Sequence, residues 1–288
     1  MPPVNATVPR ALSAVGHYEN FPVASWLCPA RLRPAVAAIY AFARTADDIA
    51  DEGNAGADRR LSDLEDYRAG LAACITGAIE YRRWPEVFIP LAVAIRHYAL
   101  PASLLEDLLS AFEQDVARTR DSRGYATREE LLDYCRRSAN PVGRLLLHLY
   151  GVQDAMSLRQ SDCICTALQL INFWQDLSID LPRGRYYVPA EDCGPHGLDP
   201  VSPKAWPAHP NARRLVALEA DWARELMLEG AALVHRVPGR AGWELRLVVQ
   251  GGLRILDKIA AGGFNSFRAR PQLAALDWPV LSWRALWM

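Results

Sequence analysis

Apolar residues return at helical intervals along almost the whole chain, and no segment shows the alternation of a β-hairpin. Pro34 opens a long helix that Gly53-Asn54-Ala55-Gly56 ends. Residues 58–80 and 85–100 read as two further helices, broken by Trp84-Pro85 and Leu100-Pro101. From Ser103 to Arg118 the spacing of Leu104, Leu105, Leu108, Leu109 and Phe112 is amphipathic. Thr127-Arg-Glu-Glu130 fits a capping box for a helix over about 127–150, kinked at Asn140-Pro141. Another helix spans about 155–180 and stops at Leu181-Pro182-Arg183-Gly184. A Pro- and Gly-rich loop follows from about 182 to 210, then helices over about 211–235, 240–261 and 271–288. The pattern predicts an all-α protein, with residues 1–16 as a loose leader and 17–288 as one domain.

Two of these helices carry acids among apolar neighbours. In the later one, Gln169, Asn172, Asp176 and Asp180 recur at spacings of 3, 4 and 4, which returns them to one face. Leu170, Ile171, Phe173, Trp174, Leu177 and Ile179 surround that face. In the earlier one, Tyr40, Arg44, Asp47 and Asp51 share a face, with Asp48 beside them and Ile39, Phe42, Ala43 and Ile49 around. Acids in so apolar a setting are costly to bury without a positive partner. A divalent cation bridging to phosphate oxygens is such a partner, because Mg²⁺ takes one or two carboxylates plus phosphate and water. A lone D-x-x-x-D is ordinarily a solvated helix face, and Tyr134 alone an ordinary packed aromatic. The repetition of the design on two apolar helices raises the functional reading above those.

The 288 residues are 51% hydrophobic, ample for a sizeable core, and the formal net charge of −1 gives no general attraction to nucleic acid or anionic lipid. Six cysteines without a C-x-x-C pair read as reduced core thiols of a cytoplasmic protein. The N-terminus shows no signal-peptide pattern, and no apolar run reaches the ~18 residues of a membrane span, although peripheral membrane contact stays open. No G-x-G-x-x-G follows a predicted strand, and the six histidines have no ligand spacing.

Ala-Ile-Tyr-Ala-Phe-Ala-Arg-Thr-Ala-Asp-Asp-Ile-Ala-Asp (38–51), Tyr134-Cys135 with Val142-Gly143, Gln169-Leu-Ile-Asn172 with Asp176 and Asp180, and Arg-Tyr-Tyr-Val-Pro (185–189) together resemble the squalene/phytoene synthase family, from about Tyr18 to Arg270. The resemblance implies a single-domain isoprenoid synthase fold, a helical bundle around an apolar cavity, with a Mg²⁺-bound prenyl diphosphate between the two acidic helices. It implies Asp47, Asp48, Asp51, Asn172, Asp176 and Asp180 as metal ligands, and Tyr134 as catalytic alongside Asp47, Asp51, Asp176 and Asp180. Tyr18, Asn20, Phe21, Tyr40, Arg44, Gln169, Arg185 and Tyr187, with Asn172, are the implied substrate contacts, Arg185 and Tyr187 lying on a loop that closes over the diphosphate.

The chain departs from the family pattern at several places. Tyr18-Glu-Asn20-Phe21-Pro22 stands where serines are common, Gln175 where arginine precedes the second motif, and Gly252 where a tyrosine is expected. Either Arg268 or Arg270 matches the C-terminal arginine. Segments 19–25, 138–144, 172–176 and 251–259 are similar to the bacterial hydroxysqualene synthase branch of hopanoid biosynthesis, in which presqualene diphosphate and water give hydroxysqualene and diphosphate. That implies Mg²⁺-assisted ionisation and capture of the carbocation by a water that Tyr134 or Asn20 places. The alternatives are a squalene, presqualene diphosphate or phytoene synthase that condenses two prenyl diphosphates, a head-to-tail prenyltransferase or cyclase, and a non-catalytic relative acting in assembly.

Overall fold

The predicted early acidic helix forms as α1 (Arg33–Asp51), with Pro34 in its first turn and its apolar side, including Val36, Ile39 and Phe42, buried. It belongs to a computed structural model that describes residues 28–78 and 83–288. The leader 1–16 and the residues Tyr18, Asn20 and Phe21 lie outside those residues. Helices α2 (Ala57–Thr76), α3 (Pro85–Tyr98) and α4 (Ala102–Arg120) pack with α1 around one apolar cluster centred on Phe42, Tyr67 and Phe88. The Phe42 and Tyr67 rings stack at 5.3 Å, and the Tyr67 hydroxyl donates to the Phe42 carbonyl at 3.0 Å.

The later half is built on α7 (Ala155–Gln175), α10 (Ala212–Gly230) and α11 (Arg240–Ala261), with α12 (Trp278–Leu286) packed on α11. Their cluster contains Trp174, Ile171, Met227 and Leu256, and Tyr150 packs against both clusters. Glycines set the close helix spacings. A Cβ on Gly230 would lie 2.5 Å from the backbone oxygen of Gln160, and one on Gly143 2.4 Å from Ser161 Oγ. No strand occurs among the described residues, so the all-α expectation holds.

The expected helix over 127–150 is two helices, α5 (Arg128–Ser138) and α6 (Asn140–Leu149), separated at Ala139. Pro141 lacks the N–H that would continue α5, and its ring would collide with the preceding turn, so it sits in the first turn of a new helix. The capping box is shifted. Thr127 Oγ1 accepts from Glu130 N at 3.2 Å as expected, but the Glu130 carboxylate takes the N–H of Ala126 at 2.6 Å. The expected helix over 155–180 breaks at Asp176, giving the single turn α8 (Leu177–Asp180). The Ser178 N–H leaves the helix pattern to donate to Ser266 O at 3.1 Å. After the loop comes another short turn, α9 (Ala190–Cys193). Residues 231–235 and 275–277 are 3₁₀ turns, so the last helix is shorter than its expected range.

Candidate active site

On α1 the buried stripe leaves Tyr40, Arg44, Asp47, Asp48 and Asp51 on the opposite side. Arg44 reaches three acids there: Asp47 at 3.0 Å, Asp48 at 2.7 Å and Glu52 at 2.8 Å. Desolvation raises the Asp47 and Asp48 carboxyls above their ordinary range, even though Arg44 opposes it. Tyr40 is half-buried one turn before Arg44 and close enough to contribute to its electrostatic environment.

The second motif hangs from the end of α7. Asn172 Nδ2 donates to Asp176 Oδ2 at 3.1 Å, and Arg270 pairs with the same carboxylate, its second nitrogen at 3.2 Å from Oδ2. Of the two arginines that match the family position, Arg270 is the one that bonds Asp176. Asp180 is buried, and desolvation together with the charge of Asp176 pushes its carboxyl up to about 7. Gln169 lies one turn before Asn172, half-buried.

A tight turn then carries the chain back across both motifs. Gly184 takes a positive φ of 78°, a conformation open to glycine, and Arg185 N donates to Asp180 O at 3.0 Å. The Arg185 guanidinium pairs with Asp51 at the end of α1. One residue thus fastens the loop after the second motif to the last acid of the first. Downstream, Ala190 N and Glu191 N bond the carbonyls of Tyr125 and Ala126 at 2.9 and 3.1 Å, anchoring the far side of the loop.

Beneath that loop lies an aromatic group. Tyr187 stacks on Phe173 with ring centroids 3.7 Å apart, and Tyr134 sits 6.2 Å from Phe173 and 5.7 Å from Tyr125. Burial and the nearby Asp115 hold the Tyr134 hydroxyl well above its ordinary acidity range. The Tyr134 hydroxyl donates to Asp115 Oδ2 at 2.6 Å. Asp115 is half-buried, and desolvation pushes its carboxyl up to about 7. It lines a small hollow together with Arg185 and Tyr187, beside the loop that joins the two motifs.

Asp115 was missed in the sequence because it is one of four acids on an otherwise ordinary amphipathic helix and belongs to no D-x-x-x-D pair. Its position seven residues after Leu108 and four after Ala111 puts an acid on the buried stripe, which is the signal that marks it. The described members of the expected site are carried by α1, α5, α7, α8 and the Arg185 loop, and α4 adds Asp115. Among the described residues no group of three or more acid, His or Cys side chains stands close enough to hold a metal ion, and Arg44, Arg185 and Arg270 engage the carboxylates of Asp47, Asp48, Asp51 and Asp176. Gln175 is a structural replacement for the family arginine, buried with its amide bonded to Pro271 O. A Cβ at Gly252 would meet Met227 Cε at 2.7 Å and Ile171 and Leu168 at 3.2 Å, so a side chain there requires the flexible end of Met227 to move.

An all-helical bundle with two acidic helix faces tied across an aromatic floor defines an isoprenoid synthase-type protein. The model of the squalene/phytoene synthase family matches residues 14–277, and the chain belongs to that family. It is 34% identical over 254 residues to the hydroxysqualene synthase of Sinorhizobium fredii, covering 88% of this chain and 82% of that protein. It is 40% identical over 185 residues to the hydroxysqualene synthase of Zymomonas mobilis, a match covering 62% of this chain and 58% of that one. The crystal structure of squalene synthase HpnC from Alicyclobacillus acidocaldarius superposes with a TM-score of 0.77 at 38% identity, over 86% of this chain and 90% of that chain. A dehydrosqualene synthase structure at 22% identity has the same fold, TM-score 0.77.

Proposed function

We propose that this enzyme converts presqualene diphosphate and water to hydroxysqualene and diphosphate. The relatives named hydroxysqualene synthase support this choice of reaction. The observation that carries the chemistry is Arg185, which bonds Asp180 through its backbone and Asp51 through its side chain, bringing both acidic motifs under one loop.

Asp47, Asp48, Asp51, Asn172, Asp176 and Asp180 would hold Mg²⁺. Every side-chain donor in the set is an oxygen, which suits a hard cation, and the ion would take over carboxylates that Arg44, Arg185 and Arg270 engage. When bound, the ion supplies neutralising charge for the departing diphosphate. Arg44 and Arg185 turn from their carboxylates to the diphosphate and orient it, the guanidinium fork suiting phosphate oxygens. The C–O bond to the diphosphate breaks, and the cyclopropylcarbinyl cation that remains rearranges against the faces of Phe173, Tyr187 and Tyr134, whose π clouds favour positive charge. The aromatic floor excludes bulk water until one water forms the C–O bond of the alcohol and gives up a proton. Tyr40 and Gln169 line the approach on their two helices.

Product analysis after supplying presqualene diphosphate with Mg²⁺, with and without NADPH, tests the reaction. Hydroxysqualene in both samples is expected. Squalene appearing only with NADPH would make the enzyme a reductive synthase, and turnover of farnesyl or geranylgeranyl diphosphate alone would make it a condensing one.

A further inference from the structure

The hydroxyl of Tyr134 has one proton, and the structure shows where it goes. Its donation to Asp115 Oδ2 spans 2.6 Å. The phenol keeps its proton, since burial and the acid beside it both oppose ionisation. Desolvation brings the Asp115 carboxyl up to about 7 against the pull of Arg118 and Arg137 on α4 and α5, so above that pH it is a carboxylate, which accepts hydrogen bonds only. The ring cannot swing to find another partner, because Tyr125, Phe173 and Tyr187 pack around it with centroids 5.7 to 6.3 Å away.

With its proton committed, the Tyr134 oxygen presents only lone pairs to the rest of the site. A water hydrogen-bonded there must donate, which leaves its own lone pair directed away from Tyr134 and toward a cation held over the aromatic floor. We infer that Asp115 is a positioning residue that fixes the hydrogen-bond polarity of Tyr134, and through it the orientation of the water that captures the carbocation. The inference rests on the water-capture reading above. In the capture step the water oxygen forms the new C–O bond, the cation carbon gains the electron pair, and the surplus proton of the oxonium leaves along the hydrogen bond to the Tyr134 oxygen, whose own proton moves to Asp115.

Asparagine at this position keeps the size of Asp115 but offers an N–H₂ as well as a carbonyl, so it no longer forces Tyr134 to donate. Ionisation and capture then come apart. Wild type is expected to give about one hydroxysqualene per diphosphate released, the ratio that the proposed reaction itself requires. In Asp115→Asn that ratio should fall about tenfold, the loss expected for a hydrogen bond to a charged group, with hydrocarbons from proton loss making up the difference. Tyr134→Phe should show the same fall, and the double variant no greater one, because the two side chains act as a unit.

The experiment measures diphosphate release and the hydroxysqualene-to-diphosphate ratio for the four proteins, with helical content and thermal midpoint recorded for each. An unchanged ratio in Asp115→Asn, at any rate of turnover, would overturn the inference, since a merely structural role slows the reaction without altering what captures the cation. Complete loss of diphosphate release in a folded Asp115→Asn would also overturn it, placing the residue in ionisation. If Asp115→Asn fails to fold, the Tyr134→Phe ratio decides, a wild-type value being contrary. Absence of hydroxysqualene from the wild type would instead refute the reaction, separately from the role of Asp115.

Discussion

Asp176 is the residue on which most contacts of the second motif converge, since Asn172 and Arg270 both bond its carboxylate. Replacing it with Asn removes the charge and keeps the shape. Turnover of presqualene diphosphate should fall by about 100-fold or more, in line with losing an electrostatic stabiliser of a developing anion; near-normal turnover would remove Asp176 from the ligand set. A second residue-scale consequence concerns pH. Asp115 and Asp180 are held up to about 7, and the buried Glu219, on α10 away from the site, up to about 8 by desolvation and Asp192. Unfolded carboxylates titrate near ~4, so between about pH 4 and 8 the folded protein binds more protons than the unfolded one. That part of the stability is complete below the unfolded value and is lost as pH rises through 7 to 8. The metal-free protein should therefore melt at a higher temperature at pH 5.5 than at pH 8.5, and Asp180→Asn should flatten the difference; melting curves at the two pH values decide.

The elements show why some of the site was legible and some was not. Asp47, Asp51, Asp176 and Asp180 could be read because helical spacing alone places each pair on one face. Arg185 could be read only as a motif match, because its partner Asp51 is brought to it by tertiary folding. The break at Asp176 had no local signal, since the group that takes the Ser178 N–H is Ser266, distant in sequence. At Pro141 a disruption was legible from the residue type, but its outcome as two separate helices depended on where each half packs. The choice between Arg268 and Arg270 needed the path of the segment after α11, which no periodicity encodes.

Two predictions belong to this scale. Arg185→Ala should lower kcat/KM by about 100-fold by freeing the loop and removing a diphosphate partner, while leaving the melting temperature close to wild type; a change confined to stability would contradict that role. Gly230→Ala should destabilise the protein by about 1–3 kcal/mol, the usual cost of overpacking, because the added carbon meets the immobile Gln160 carbonyl where α10 crosses α7. Denaturant unfolding measures it, and an unchanged midpoint would show that the two helices separate freely.

For the whole molecule, two apolar clusters form one all-α body, and the acids sit where the first-half helices meet the second. Among the described residues no helix is long and apolar enough to cross a membrane. Chelation of divalent ions should stop diphosphate release and Mg²⁺ should restore it, with the helical content unchanged throughout; full activity in chelator would contradict the metal reading. The central claim is that solvent water ends the reaction. Turnover of presqualene diphosphate in ¹⁸O-labelled water with Mg²⁺, followed by mass analysis of the product, tests it most directly. The account predicts hydroxysqualene carrying one labelled oxygen, whereas an unlabelled alcohol, or a hydrocarbon as the sole product, would contradict it.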